Sequence, residues 1–219
     1  MTTKPEWSDF FHEINAEVLG EELPSVNVIQ QAGGDPFAIF VATLISTRTR
    51  DDVTLRTSRK LLEAADSPEK LIKLTEDEIE KKIYPSGFYR VKAKNLLEIA
   101  HILIKTYNSK VPETSEALNN LPGVGPKVAN LILSLAFGQD TICVDTHVHR
   151  ITNRMGWILT STPEKTELEL MRIVPKDQWN LINEVFVKFG QRQCLPASPH
   201  CSSCTFTDWC PKNGVLHSR

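Results

Sequence analysis

Apolar positions in this chain recur every three to four residues, and many of the runs open on the same punctuation, a small or polar residue followed by proline. Asp35-Pro36, Ser67-Pro68, Gly125-Pro126 and Thr162-Pro163 each place a capping residue before a proline at the first helical position, where the missing N–H costs nothing. Thr75 and Glu78 have the spacing of a capping box. The pattern predicts helices over 6–19, 36–47, 51–65, 68–73, 76–83, 89–107, 113–119, 126–137, 146–155, 163–173 and 176–190. Period-two alternation is absent, and 141–144 is only a short extended piece. The fold class is therefore all-α.

The periodicity stops after Gly190, and cysteine, serine and proline take over. That tail is too poor in apolar residues to fold around a core of its own, so something else is expected to hold it. Cys194, Cys201, Cys204 and Cys210 stand at C-x6-C-x2-C-x5-C within 17 residues. Four thiolates close a tetrahedral metal site or hold an iron–sulfur cluster. The usual zinc pattern has two C-x2-C pairs with a long spacer. Here only Cys201 and Cys204 form such a pair, which leans toward a [4Fe–4S] cluster over zinc. Cys143, in an apolar context, reads as a small buried hydrophobe.

Composition narrows the setting. At 219 residues with 41% apolar and 24% charged positions, the chain suits a globular protein of one large or two small domains. No run approaches the ~20 apolar residues of a membrane span, and the first residues contain no signal-peptide core. A cytoplasmic setting is expected, where five cysteines serve as ligands or free thiols rather than disulfides. The net charge of −2 offers no global attraction to nucleic acid, so any grip on phosphate must be local.

The stretch LPGVGPK, 121–127, supplies one. A predicted helix, a turn framed by Gly123 and Gly125, and a second helix form a helix–hairpin–helix. Both glycines are expected at positive φ, exposing amides that join those opening the next helix as an anion site. Lys127 then starts a helix that is apolar at most other positions. A solvated surface lysine is the ordinary reading. Yet a helix N-terminus disfavours positive charge, which suits a lysine that must work as a neutral amine, with desolvation under a bound substrate supplying the rest. Asp145 precedes THVHRITNR and caps the predicted helix there. It is equally placed to accept a proton or to steady positive charge at a sugar carbon. His147 and His149 lack a third ligand nearby and read as structural or DNA-facing.

LPGVGPKVAN, VDTHVHRITNR and the four-cysteine tail, in that order and spacing, resemble the endonuclease III family of DNA glycosylases, in the helix–hairpin–helix–Gly/Pro/Asp superfamily. Weaker similarity in LISTRTRDD and SGFYRVKAKN extends the likeness over nearly the whole chain. The resemblance implies two lobes: a six-helix bundle over 29–139, and a second lobe from 1–28 and 140–219 carrying a [4Fe–4S] cluster on the four cysteines. It implies a monomer acting on double-stranded DNA with damaged pyrimidines or abasic sites, the damaged nucleotide being flipped into the cleft between lobes. Lys127 would attack C1′ and form a Schiff base, Asp145 would assist and stabilise the oxocarbenium-like charge, and β-elimination would cut the strand.

Two departures from the family pattern stand out. Arg48 occupies a place where many relatives have a glutamine that enters the vacated space in the duplex, and Phe88 matches a wedge position that is often leucine. The segment LPASPH, 195–200, offers only His200 where relatives tend to be basic. Arg90, Lys92 and Lys94 are the alternative contacts to the DNA backbone. Two other functions stay open at this point: a uracil or thymine mismatch glycosylase on the same fold, and a DNA-binding module that uses its cluster without chemistry on the base.

Overall fold

The computed structural model describes residues 3–219 and contains no β-strand among them. Twelve α-helices are arranged in two compact units, Pro24–Thr141 and Met1–Leu23 with Ile142–Arg219. Among the described residues no helix is long and apolar enough to cross a membrane.

The first unit holds six longer helices, α2 (Ser25–Gln31), α3 (Pro36–Ser46), α4 (Asp51–Leu62), α6 (Glu76–Ile83), α7 (Tyr89–Tyr107) and α9 (Pro126–Phe137). Two short ones, α5 (Pro68–Leu71) and α8 (Ser115–Asn119), lie among them. α3 is apolar on nearly every face, as a helix at the centre of a bundle must be. Phe37, Phe40, Val41, Leu44 and Ile45 are all buried, and α2, α4, α7 and α9 pack around them. Local sequence starts most of these helices as expected. Asp35 accepts from the Ala38 amide at 2.8 Å, and Thr75 and Glu78 close a reciprocal capping box. α2 has no such signal. Its first residue, Ser25, donates through its amide and its hydroxyl to Asp51 of α4, at 3.1 and 2.7 Å. This cap comes from another helix, so it is invisible in the local pattern. The compact unit spans Pro24–Thr141 and so includes α2.

The second unit is built from α1 (Trp7–Glu17), α10 (Thr146–Arg154), α11 (Pro163–Ile173) and α12 (Trp179–Arg192), followed by the tail. Its core is aromatic. Phe10, Phe186, Phe189 and Phe206 are fully buried, each removing apolar area that contributes about 2–3 kcal/mol. The tail, short of apolar residues for a core of its own, places two aromatic side chains in this one. Phe206 lies edge-on to Phe10 and Phe189 at 5.2 and 5.7 Å, and Trp209 meets Phe10 and Trp157 at 5.7 and 5.8 Å. Two aromatic side chains therefore dock the tail, whatever else the cysteines add.

Candidate active site and nucleic-acid interface

In the hairpin between α8 and α9, apolar and open positions are sorted residue by residue. Leu118, Leu121 and Val124 are buried in the bundle core, while Gly123, Pro126 and Lys127 face outward. Gly123 sits at φ +76°, a conformation that favours glycine, and a Cβ there would fall 2.4 Å from Asn95 Nδ2, so the Asn95 amide would have to move aside. Gly125 departs from the expectation. Its φ is −108°, an ordinary extended value, and a Cβ would meet nothing within 4 Å. Its contribution is a different one: as N-cap of α9 it brings no side chain to the amides that open the helix. Asp35, Ser67, Thr114 and Thr162 cap their helices with their own side chains, whereas the N-cap of α9, Gly125, has none to offer. Pro126 holds the first position and Lys127 the second, its side chain exposed. Gly138, at φ +64°, closes the helix at its far end.

Arg48 and Phe88 form a second feature of the same unit. Both adopt left-handed backbone, φ 51° and 57°, at a cost of about 1–2 kcal/mol each for residues with a Cβ. Phe88 is 61% exposed and takes no part in the core. The Arg48 guanidinium carbon lies over its ring, 5.2 Å from the centroid. A concavity is lined by Leu44, Thr47, Arg48, Phe88, Asn95 and Gly123 among others. The strained pair and the hairpin glycine thus border one surface depression. Asn95 was not among the sequence-based candidates. Its signal is tertiary, the amide lying against a glycine 28 positions away.

Of the basic residues near this surface, Arg90 is exposed and pairs with Glu80 at 3.7 Å, and Lys94 is exposed as well. Lys92 overturns the expectation that it contacts phosphate. It is only 7% exposed, and its ammonium donates to Ile45 O, Thr47 O and Thr49 Oγ1 at 2.6, 2.6 and 2.9 Å. Burial pushes its pKa down to about 8. At neutral pH it keeps its charge and all three N–H donors, none of which is directed outward.

In the other unit, Asp145 is 8% exposed and caps α10, its Oδ1 accepting from the amides of His147 and Val148 at 2.8 and 2.9 Å. This fixes the carboxylate in one orientation. The side chain of His147 is turned toward α12. Its Nδ1 lies 3.1 Å from Arg150 Nη2, a donor only, so the ring nitrogen accepts. Gly190 makes room for this packing, since a Cβ there would fall 2.3 Å from the same nitrogen. This contact supports the structural side of the two readings of His147. His149 Nδ1 meets Thr166 Oγ1 at 2.7 Å.

Cys194, Cys201, Cys204 and Cys210 line one cavity. Among the described residues no three His, Cys, Asp or Glu side chains group around a single ion position. Arg154, almost fully buried, donates to the carbonyls of Leu195 and Pro196 at 2.6 Å each, and its Nη1 lies 3.6 Å from Cys194 Sγ. Arg150 adds a bond to Cys194 O at 2.8 Å. The segment 195–200, poor in charge of its own, is thus held by Arg154, while Arg150 fixes the chain just before it. Burial, with the neighbouring sulfurs, pushes the Cys204 thiol up to about 11 and Cys210 upward as well. Thiolates in this cavity require a cation to offset their charge, which is the role a bound metal group plays.

The family model described as HhH-GPD superfamily base excision DNA repair protein matches residues 41–176, which include the strained pair, the hairpin, Lys127 and Asp145. Endonuclease III of Thermotoga maritima is 44% identical over 80% of this chain and 83% of its own. A non-covalent endonuclease III–DNA complex superposes with a TM-score of 0.81 at 30% identity, over 97% of each chain. A trapped endonuclease III–DNA covalent intermediate gives 0.78 at 35%, over 81% of this chain and 84% of that one. On the strength of the matched span and of these identities, the chain belongs to the HhH-GPD superfamily of base excision DNA repair proteins.

Proposed function

We propose that this chain is a bifunctional DNA glycosylase and abasic-site lyase that removes oxidised pyrimidines from double-stranded DNA. The observation that carries the reading is Lys127, exposed on the first turn of α9 directly after the glycine hairpin, in a chain 35% identical to an endonuclease III trapped covalently on DNA. In this reading the backbone amides of the hairpin hold phosphate, and Arg48 and Phe88 fill the gap left by the extruded nucleotide. The unprotonated Lys127 amine attacks C1′, the C1′–N bond breaks, and the base leaves with its electron pair and takes up a proton. Asp145 stabilises the positive charge that develops on the sugar and takes the proton shed by the lysine. Ring opening gives an iminium between Lys127 and C1′. Loss of a C2′ proton then expels the 3′ phosphate, and water releases the lysine.

Cys194, Cys201, Cys204 and Cys210 are the residues that would hold a [4Fe–4S] cluster. The fit rests on the shared cavity, on the all-thiol donor set and on the Arg154 N–H aimed at Cys194 Sγ. The cluster would act as a structural tie between α12 and the tail.

Reductive trapping with borohydride on a panel of duplexes tests the activity. Thymine glycol and hydroxylated cytosine are expected to give adducts well ahead of a uracil–guanine mispair. The reverse ranking would move the assignment to a mismatch glycosylase, and no adduct on any substrate would leave a DNA-binding module without lyase chemistry. Asp145→Asn separates capping from catalysis. Asparagine caps as well as aspartate, so stability should change by less than about 1 kcal/mol. Trapping should nonetheless slow by about 10²-fold because the charge is gone. A melting temperature that falls in step with activity would reduce Asp145 to a cap.

A further inference from the structure

Arg48 and Phe88 present a physical problem. Each sits in left-handed backbone without glycine's freedom, and each side chain is exposed, so burial does not compensate the strain. Such conformations persist only where the surroundings over-determine them. The two residues lie on separate segments, the turn between α3 and α4 and the approach to α7, so something must hold both segments at once.

The hydrogen bonds identify it. Lys92, on the first turn of α7, reaches into the α3–α4 turn and donates to Ile45 O, Thr47 O and Thr49 Oγ1. Thr49 Oγ1 in turn accepts from the Gly87 amide at 3.0 Å and lies 3.2 Å from Thr47 O, to which it donates. Both polar groups are then fully used: the ammonium spends three donors, and the hydroxyl accepts twice and donates once. Gly87 completes the fit. A Cβ there would fall 2.2 Å from Arg48 O, so the backbone before Phe88 is pressed directly against the backbone of Arg48.

We propose that Lys92 is a positioning residue for damage recognition: it ties the α3–α4 turn to the start of α7 and so holds Arg48 and Phe88 together, both side chains aimed outward before DNA arrives. The proposal rests on the reading that these two side chains fill the gap in the duplex. It assigns Lys92 no contact with phosphate, base or sugar. It also gives the buried cation a reason to exist, since an apolar side chain of the same length could pack there but could not satisfy three acceptors on the turn.

The test uses Lys92→Met, with Thr49→Val as a second disruption of the same junction should the first fail to fold. Trapping is measured on a damaged duplex and on a single-stranded abasic oligonucleotide, which has no partner strand and no gap to fill. Binding is measured against salt on a duplex with an abasic analogue opposite 2-aminopurine, whose fluorescence reports unstacking of the opposite base. For loss of positioning, duplex trapping should fall about 10²-fold, since a displacement near 1 Å is enough for that. The 2-aminopurine signal should drop, single-strand trapping should stay within about twofold, and the salt slope should be unchanged. A slope reduced by about one would make Lys92 a phosphate contact and overturn the proposal. Equal losses on both substrates, or no loss on either, would overturn it as well. An Arg48→Ala, Phe88→Ala double variant isolates the underlying reading. If it keeps wild-type trapping and fluorescence, the gap-filling assignment itself is wrong, whatever Lys92→Met does.

Discussion

Lys127→Ala should abolish the borohydride-trapped adduct and lower strand cleavage by about 10³-fold or more, while leaving the fold and duplex affinity nearly intact. The separation follows from where the residue sits. Its side chain is exposed, and the helix beneath it is anchored by Val128, Ala129, Ile132 and Leu133, all buried in the bundle core. Removing the side chain therefore opens no cavity, and alanine is a good helix former. The groups proposed to hold phosphate are backbone amides, which the substitution leaves in place. Lys127→Arg keeps the charge but offers a guanidinium that does not deprotonate near neutral pH, so it should be as inactive in trapping as alanine. That comparison separates nucleophile from electrostatic contact: an arginine variant with most of the activity would mean that charge alone is at work. Adduct surviving in both variants would place the attacking amine elsewhere.

The second large effect concerns the tail. Cys204→Ser should remove the visible absorption of thiolate-bound iron and destabilise the unit that contains α1, α10, α11 and α12 by more than about 4 kcal/mol. For a chain of this size that corresponds to a fall of roughly 10 °C or more in melting temperature. The loss should not be complete, because Phe206 and Trp209 still dock against Phe10, Phe189 and Trp157. Phe206→Ala in the metal-loaded protein should cost about 3–5 kcal/mol by itself. Elemental analysis of the wild type showing zinc and no iron would overturn the cluster assignment. Cys204→Ser with unchanged stability would show that the aromatic anchors alone order the tail.

What was legible in the chain divides along the range of the interactions involved. Helix starts were readable because a cap and its amides lie within three residues of each other: Asp35 with Ala38, Thr75 with Glu78, Asp145 with His147 and Val148. The four-cysteine set and the LPGVGPK hairpin were readable for the same reason, their chemistry being written in spacing. α2 was not, since the carboxylate at its start belongs to Asp51, 26 residues on. The docking of the tail was missed because Phe206 finds its partners in α1 and α12, and a count of apolar residues in the tail says nothing of those.

Lys92 shows the boundary most clearly. By itself the sequence determined that this chain is all-helical and where its hairpin and its four-cysteine set lie, because capping, periodicity and ligand spacing are local properties of the polymer. Only the tertiary structure decided that, of three basic residues within five positions, Arg90 and Lys94 face outward while Lys92 turns inward to three acceptors from 43 to 47 residues away. A lysine stem reaches water or a buried carbonyl with equal ease. Which of the two it meets depends on what another segment of the chain brings beside it.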